Sequence, residues 1–444
     1  MNGALLLRDD ARLARQLGQT PRAQDDLRAA MGVAAIGEVA AQDNEGFTRL
    51  TRIDSQDDWL KRSIRSDSAD LYRQQEVRFT LEHDYWGSSG SGGYSDLKAH
   101  TTMLQADMPL YDGRLFARSD LVDMDEGRLS GGAYQDKFGS CYVNGCPPGE
   151  RQRSTGASLA IGWQNADWQM DLGTTPIGMR VVDWVGGIAY NGDWRNIGWT
   201  LEAHRRPLSS SLLALGGQSD PASGTEWGGV RRNGVTLNAS YDRGGPSGLW
   251  GALSADYLTG KNVESNSSVR WMGGYYYKLI NEDHRRVSVG LSNMLWHYDK
   301  DLSGYTLGQG GYYSPQQYLS FAIPLNYRQR TENWSWELGG SVSWSYARTA
   351  DQRRYPLQNL IESSRVPDYD VSDPGSSSNG FGYTLRAIVE RRLTSHWFVG
   401  AGVDIQQAKD YTPSHALIYV RYSVQGWQGD MDLPPQPLRP YADF

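Results

Sequence analysis

The chain has 444 residues, is 39% hydrophobic and carries a formal net charge of -7, with a mean hydropathy of -0.59. No run approaches the roughly 18 consecutive apolar residues of a membrane helix, which excludes helical spans but leaves open a transmembrane β-barrel, whose alternating strands give little hydropathy signal. The acidic balance, with a pI of 5.6, argues against a nucleic-acid partner, whose footprint on a protein is basic.

The opening MNGALLLRDD lacks the basic start and sustained apolar core of a signal peptide, so a membrane or periplasmic protein of this sequence is expected to be a mature form or a fragment. Residues 11–31, ARLARQLGQTPRAQDDLRAAM, place Leu13, Leu17, Ala23, Leu27 and Ala30 at helical spacing. They predict two short helices around a Gly-Gln-Thr-Pro break, with Thr20 as the cap and Pro21 in the first turn. Paired helices with small alanines at the contact have the pattern of one tetratricopeptide unit, here over residues 1–45. One such unit cannot bury its face alone, so further repeats are expected to precede it. SQDDWLKRSIRSDSADLYRQQ (55–75) predicts a polar helix or linker within a connecting segment, 46–75.

From Glu76 the apolar period becomes two and stays two. VRFTLEH (77–83) begins it, and SLAIGW (158–163), WQMDLGT (168–174), NIGWTLEAH (196–204), VTLNASY (235–241), LWGALSADY (249–257), VRWMGGYYYKL (269–279) and RVSVGLSNML (286–295) follow. YLSFAIPLNY (318–327), GYTLRAIVE (382–390), WFVGAGVDI (397–405) and ALIYVRY (416–422) continue it. NWSWELGGSVSWSY is the clearest case: Trp334, Trp336, Leu338, Val342, Trp344 and Tyr346 take one face, and Ser335, Glu337, Gly339, Ser341, Ser343 and Ser345 the other. With less regular segments near 94–108, 114–124 and 184–190, about sixteen strands are predicted. Connections alternate short (QNAD 164–167, YNGD 190–193, RGGPSG 243–248, NEDHR 281–285, RQRTEN 328–333) and long (about 126–153, 206–231, 299–316 and 348–380). A soluble sandwich or propeller has no reason to alternate loop length so regularly. An all-β transmembrane barrel does, and it is expected over 76–423, with aromatic girdles at both interfaces and small or polar residues inward.

Strand parity yields candidate lumen residues: Asp120, Glu202, His204, Asn238, Asp242, Asp256, Lys278, Glu337, Arg386, Glu390, Asp404 and Gln406. Both signs are present, which suits a neutral, hydroxyl-rich solute better than a charged one; pairing among themselves and with water is the plainer reading of any single member. Tyr305, Tyr312 and Tyr313 in LSGYTLGQGGYYSP sit in a long loop, either as stacking faces for sugar rings at a pore mouth or as interfacial girdle residues. Cys141 and Cys146, close together in GSCYVNGCPPG, suggest a disulfide and an oxidising compartment, with two free thiols as the alternative. Too few ligands lie nearby for zinc, and DKDLSG (299–304) fails as a calcium loop because its twelfth position is Gly310, so no metal or cofactor is expected.

GWQGDMDLPPQPLRPYADF (426–444) cannot be a strand, because its prolines remove too many ladder donors. As a semi-rigid tail over 424–444, with Trp427, Asp430, Tyr441 and Phe444 singled out, it is expected to lie in the pore or dock on a partner. Catalysis has weak support: the seven histidines lie on different segments, and Ser209–Ser211 after His204 define no triad by sequence.

YLSFAIPLNYRQRTENWSWELG, HYDKDLSGYTLGQGGYYSPQQYLS, RYPLQNLI, HRRPLSSSLLALGGQ, LTGKNVE and DIQQAKDYTPSHALIYVRYSVQGWQGDMDLPPQPLRPYAD resemble the C-terminal part of the outer-membrane cellulose export porins, the family of bacterial cellulose synthase C-type proteins. The resemblance runs from LTRIDSQDDWLKRSIRSDSADLYR onward and departs in the long loops, notably 126–153 with its cysteine pair. It implies a sixteen-stranded outer-membrane porin behind a periplasmic tetratricopeptide array, with both ends of this chain periplasmic. It also implies export of a linear β-1,4-glucan made by an inner-membrane synthase complex, reached through those repeats. The expected partners are therefore the glucan chain, outer-membrane lipid and that complex, and the protein is not expected to be an enzyme. Export of another exopolysaccharide, or a general or sugar-selective diffusion porin, is the alternative.

Overall fold

The computed structural model describes residues 2–407 and 414–444. Its sixteen long strands are β1 (Arg78–Ser88), β2 (Leu97–Leu110), β3 (Gly113–Arg128), β4 (Arg151–Gln164), β5 (Trp168–Thr174), β6 (Trp184–Trp194), β7 (Ile197–Pro207) and β8 (Glu226–Asp242). β9 (Ser247–Lys261), β10 (Val263–Asn281), β11 (Arg285–Tyr298), β12 (Gln317–Arg330), β13 (Trp334–Thr349), β14 (Ser376–Arg392), β15 (Trp397–Gln407) and β16 (Ser414–Ser423) complete them. Each pairs antiparallel with its sequence neighbour, and β16 pairs with β1, so that Leu81 lies between Leu104 and Val420. The sheet therefore closes and has no edge, the condition for a sheet in hydrocarbon, where an unpaired backbone group has no water to turn to. Residues 408–413, inside the expected barrel span, lie outside the described residues.

On β13, Trp334, Leu338 and Val342 are 40%, 53% and 61% exposed, while Ser335, Glu337 and Ser345 are buried. The same inversion recurs around the ring, where Leu104, Leu159, Leu201, Leu249, Leu291 and Ile418 all face outward. A continuous apolar belt of this extent is intolerable in water and correct in lipid. Short turns at one end (111–112, 165–167, 195–196, 243–246, 282–284, 331–333, 393–396) oppose long loops at the other (129–150, 208–225, 299–316, 350–375). Among the described residues, one outer connection departs from this asymmetry: Asn262 alone, at φ +51°, joins β9 to β10. The turn expected at YNGD is also corrected. Pairing continues to Trp194 opposite Ile197, and the turn is Arg195–Asn196. Gly192 serves packing here and not turning, since a Cβ on it would lie 2.3 Å from the Trp199 ring.

Ahead of the barrel stand α1 (Asn2–Gln16), α2 (Thr20–Val33), α3 (Asn44–Leu50) and α4 (Trp59–Gln74). Ala4, Ala11, Ala14, Ala23 and Ala30 are buried, as expected of closely packed helices with small contact residues. The α2 cap is Gln19, with no side-chain bond, and not Thr20, which is the first helical residue before Pro21. Asp43 and Asp58 cap α3 and α4 by accepting from the Gly46 and Lys61 amides, both at 2.8 Å. No helix among the described residues is long and apolar enough to cross a membrane.

The long loops fold together into a cap with its own core, in which Phe138, Leu213, Trp227, Leu302, Tyr312 and Tyr355 are buried. Within it Cys141 and Cys146 are bonded, with Cα atoms 5.2 Å apart. The neighbouring Asp220 accepts from the Ser140 amide at 3.0 Å and from its hydroxyl.

Candidate functional site: the lumen, its cap and its tail

Inward positions of the strands place both charge signs along the wall, and the charges meet in pairs. Glu337 accepts from Arg328 Nε at 2.8 Å and Arg386 Nε at 3.2 Å, and Arg386 lies 3.8 Å from Asp404. His204 Nε2 lies 2.6 Å from Asp256, with Glu202 at 3.7 Å on its other side. Glu390 accepts from the Tyr419 hydroxyl at 2.6 Å and Arg421 at 3.1 Å. Asp120 pairs with Arg118 at 3.0 Å, and Asp171 with Arg206 at 2.6 Å. A cavity of ≈ 960 Å³ lies between these walls. Its lining carries six carboxylates and five guanidinium groups, so its charges nearly cancel and no one-signed field remains to select an ion.

The C-terminal segment enters this lumen from the short-turn end. Trp427 and Met431 first join Phe47 and Tyr72 in the core of the helical segment. There Arg73 stacks on the Trp427 ring at 4.1 Å, and Asp432 binds Arg73 at 2.7 Å. Asp430 accepts from the Ile53 amide at 2.9 Å. Burial pushes the Asp432 carboxyl up, but Arg73, Arg421, Arg78 and Arg330 outweigh it and hold the group below the usual carboxylate range. From Pro434 to Pro440 the chain runs along one wall without helix or strand structure, and it ends in a short 3-10 turn at Tyr441–Asp443. Arg421 donates to the Gln436 carbonyl at 2.8 Å, the Leu438 amide to Glu82 at 2.9 Å, and Arg118 to the Arg439 carbonyl at 2.9 Å. The Tyr441 amide donates to Asp120 at 2.8 Å and its hydroxyl to Asp171 at 2.7 Å. Asp443 accepts from Ser209 at 2.5 Å, and Phe444 lies under Arg118 and Arg206 at 5.1 and 5.7 Å.

Of the ten charged or titratable lumen candidates, Asp242 and Lys278 pair with each other at 3.2 Å, and the other eight fall into two groups. Glu202, His204, Asp256, Glu337, Arg386 and Asp404 border the free cavity. Asp120 holds the tail directly, and Glu390 does so through Arg421. The three loop tyrosines separate as well. Tyr305 packs against Tyr94 at 5.2 Å beside the cap core, while Tyr312 packs against Tyr298 at 5.8 Å within that core and also borders the cavity. Tyr313 lines the cavity. Their apolar bodies are worth more inside the cap than in water, and the sequence did not reveal that the loops close on one another. His204 is engaged by Asp256, Ser209 by Asp443, and Ser211 by the Gly311 carbonyl and the Ala214 amide, so this cluster does not assemble a serine–histidine pair. Glu82, Arg118, Asp171, Arg206, Arg270 and Arg328 were missed. Parity alone would have found Glu82, between outward Leu81 and His83, and Arg270, between Val269 and Trp271.

A closed barrel with a lipid belt, a polar lumen and long loops on one side is a channel of the outer-membrane porin class. Residues 95–425 match the family described as cellulose synthase operon protein C C-terminus. The whole chain is 62% identical to cellulose synthase operon protein C of Salmonella typhimurium, of which it covers 38%, and 60% identical to that of Escherichia coli (strain K12), of which it covers 39%. The Pseudomonas fluorescens protein of the same name is 28% identical over 80% of this chain and 28% of its own length. The chain belongs to this family, and it spans less than two fifths of the length of these curated relatives. A solved bacterial polysaccharide outer membrane secretin is similar over 79% of this chain and 97% of its own, at 10% identity and a TM-score of 0.46. The barrel stands on this chain's own strand pairing.

Proposed function

We propose that the chain forms the outer-membrane passage for a linear β-1,4-glucan made at the inner membrane, and that it guides the polymer without catalysing a reaction. One observation carries this reading: a polymer segment already threads the lumen. The tail runs along the wall from Pro434 to Pro440 and then turns at Tyr441–Asp443, held by hydrogen bonds between wall side chains and its backbone. A glucan is also linear and edged with donors and acceptors, and a wall of paired charges offers it many weak, exchangeable contacts, as conduction requires. The short-turn end faces the periplasm in this scheme. There α1–α4 stand beside the entrance as the last unit of a longer repeat array reaching toward the synthase complex. The long loops pack into a cap at the far end, and in this scheme export needs a path past the cap and needs the tail to yield space.

The test is single-channel current through the purified barrel in a planar bilayer, with cello-oligosaccharides added at the short-turn side. Length-dependent blockade that chito-oligosaccharides do not reproduce is the expected result. Current indifferent to both sugars would favour a general diffusion porin and overturn the proposal.

A further inference from the structure

The tail leaves one side of the lumen uncovered. Its wall contacts run from β12 (Arg330) through β13 (Ser335), β14 (Arg392), β16 (Arg421), β1 (Glu82), β3 (Asp120) and β5 (Asp171) to β7 (Arg206). The opposite wall, β8 to β11, is left uncovered by these contacts and carries a different chemistry. Trp250 is opposite Gly274, Met272 opposite Met294, and Arg270 opposite Trp296. Read upward from the short-turn end, the inward side chains Tyr276, Trp250, Met272, Met294 and Trp296 form one diagonal stripe. It ends on Tyr313, whose ring meets Trp296 at 6.3 Å.

The two lowest rings lie flat, and glycines allow it. A Cβ on Gly274 would stand 2.4 to 2.8 Å from three atoms of the Trp250 indole, and one on Gly248 would stand 2.2 to 2.7 Å from the tip of Tyr276. Each ring therefore lies over a bare backbone on the inward side of the sheet, as cross-strand aromatics covering glycine do. Tyr276 is fixed there by its hydroxyl, which donates to Asp242 at 2.5 Å, and Lys278 binds the same carboxylate at 3.2 Å. Methionines above them supply a soft, adaptable surface. The upper ring, Trp296, is flanked by Arg270 at 5.7 Å.

We infer that this stripe is the track on which the glucan slides, with Tyr276 and Trp250 as the entry platform and Trp296 with Tyr313 as the upper one. The inference rests on the proposed glucan passage and assigns its binding surface. Apolar C–H faces of pyranose rings stack on the aromatic faces, and hydroxyl edges meet Asp242, Asn238 and Thr236 beside them. A flat, extended β-1,4 chain can contact the whole stripe at once, whereas a coiled α-1,4 chain cannot.

The test compares cellohexaose blockade of the full chain with that of Trp250→Leu, Tyr276→Leu and the conservative Trp250→Phe, using Trp344→Leu on the lipid face as control. Each leucine variant should bind cellohexaose about three- to tenfold more weakly, the range for loss of one aromatic pairing. The phenylalanine variant and the control should keep most of the affinity, and maltohexaose should block all of them poorly. If a leucine variant gives no channels, Trp250→Phe and Trp296→Leu carry the comparison. Cellohexaose blockade unchanged in the leucine variants would overturn the track while leaving the glucan passage standing. No blockade of the parent chain would overturn both.

Discussion

Replacing Tyr441 by alanine should release the tail and open the lumen without weakening the barrel. Eleven residues, Pro434 to Phe444, are ordered in the pore, and four are proline. Ordering costs about 1 kcal/mol of backbone entropy per residue, less at proline, plus side-chain entropy, or roughly 12 kcal/mol in all. Against this stand five hydrogen bonds to charged wall groups. At about 2 kcal/mol each they supply roughly 10 kcal/mol. Burial of the Tyr441 ring and half of Phe444 adds roughly 4 kcal/mol. The balance favours the docked tail by only about 2 kcal/mol. Tyr441→Ala removes a ring that is 1% exposed, about 2.5 kcal/mol, and the bond to Asp171, about 2 kcal/mol, together roughly 4.5 kcal/mol. That moves the docked-to-released ratio by about 2,000-fold, from mostly docked to mostly released. Single-channel conductance in planar bilayers should rise toward that of a chain ending at Asp432. Thermal unfolding should be unchanged, since Tyr441 takes no part in the sheet ladder. If the full truncation raises conductance and Tyr441→Ala does not, the tail is not marginally held and this accounting is refuted.

Three further outcomes follow from the same geometry. Val342→Arg puts a cation on the outward face of β13 and should lower barrel stability by roughly 2–4 kcal/mol in denaturant titrations, while its neighbour Ser341→Arg, facing the lumen, should change stability little and conductance more. Replacing Cys141 and Cys146 together by serine opens the link and should destabilise the cap by about 2 kcal/mol, seen as faster hydrogen exchange in 129–150 with strand exchange unaltered. The lowered Asp432 carboxyl contributes stability that is fully present above its ordinary value of 3.8 and is lost as pH falls through the lower folded-state value. Exchange protection of 424–433 should therefore hold from pH 7 to about pH 5 and fail only below about pH 4; loss near pH 6 would refute the Arg73–Asp432 anchor.

The barrel was legible because lipid reverses the usual rule, so each strand states its own two faces. Trp334, Leu338 and Val342 against Ser335, Glu337 and Ser345 need no partner strand to be read. What could not be read is what depends on distant contacts. The prolines showed that 426–444 was no strand, but the wall holds the tail largely through its backbone, and Tyr441 meets Asp171 across 270 residues. Parity placed Asp120 and Glu390 inside the barrel, yet it cannot say whether an inward carboxylate meets solute, arginine or the chain's own end. The tail decides that. It turns Asp120, and Glu390 through Arg421, into anchors and leaves Glu202, Asp256, Glu337 and Asp404 bordering open space. It also leaves the β8–β11 wall free of these contacts, where Trp250 and Tyr276 lie flat over glycine. An aromatic beside a cross-strand glycine reads in sequence as an ordinary strand residue. Only the closed register shows that ring on the inward side of the sheet, so the surface best shaped for a sugar chain was hidden among residues that looked structural.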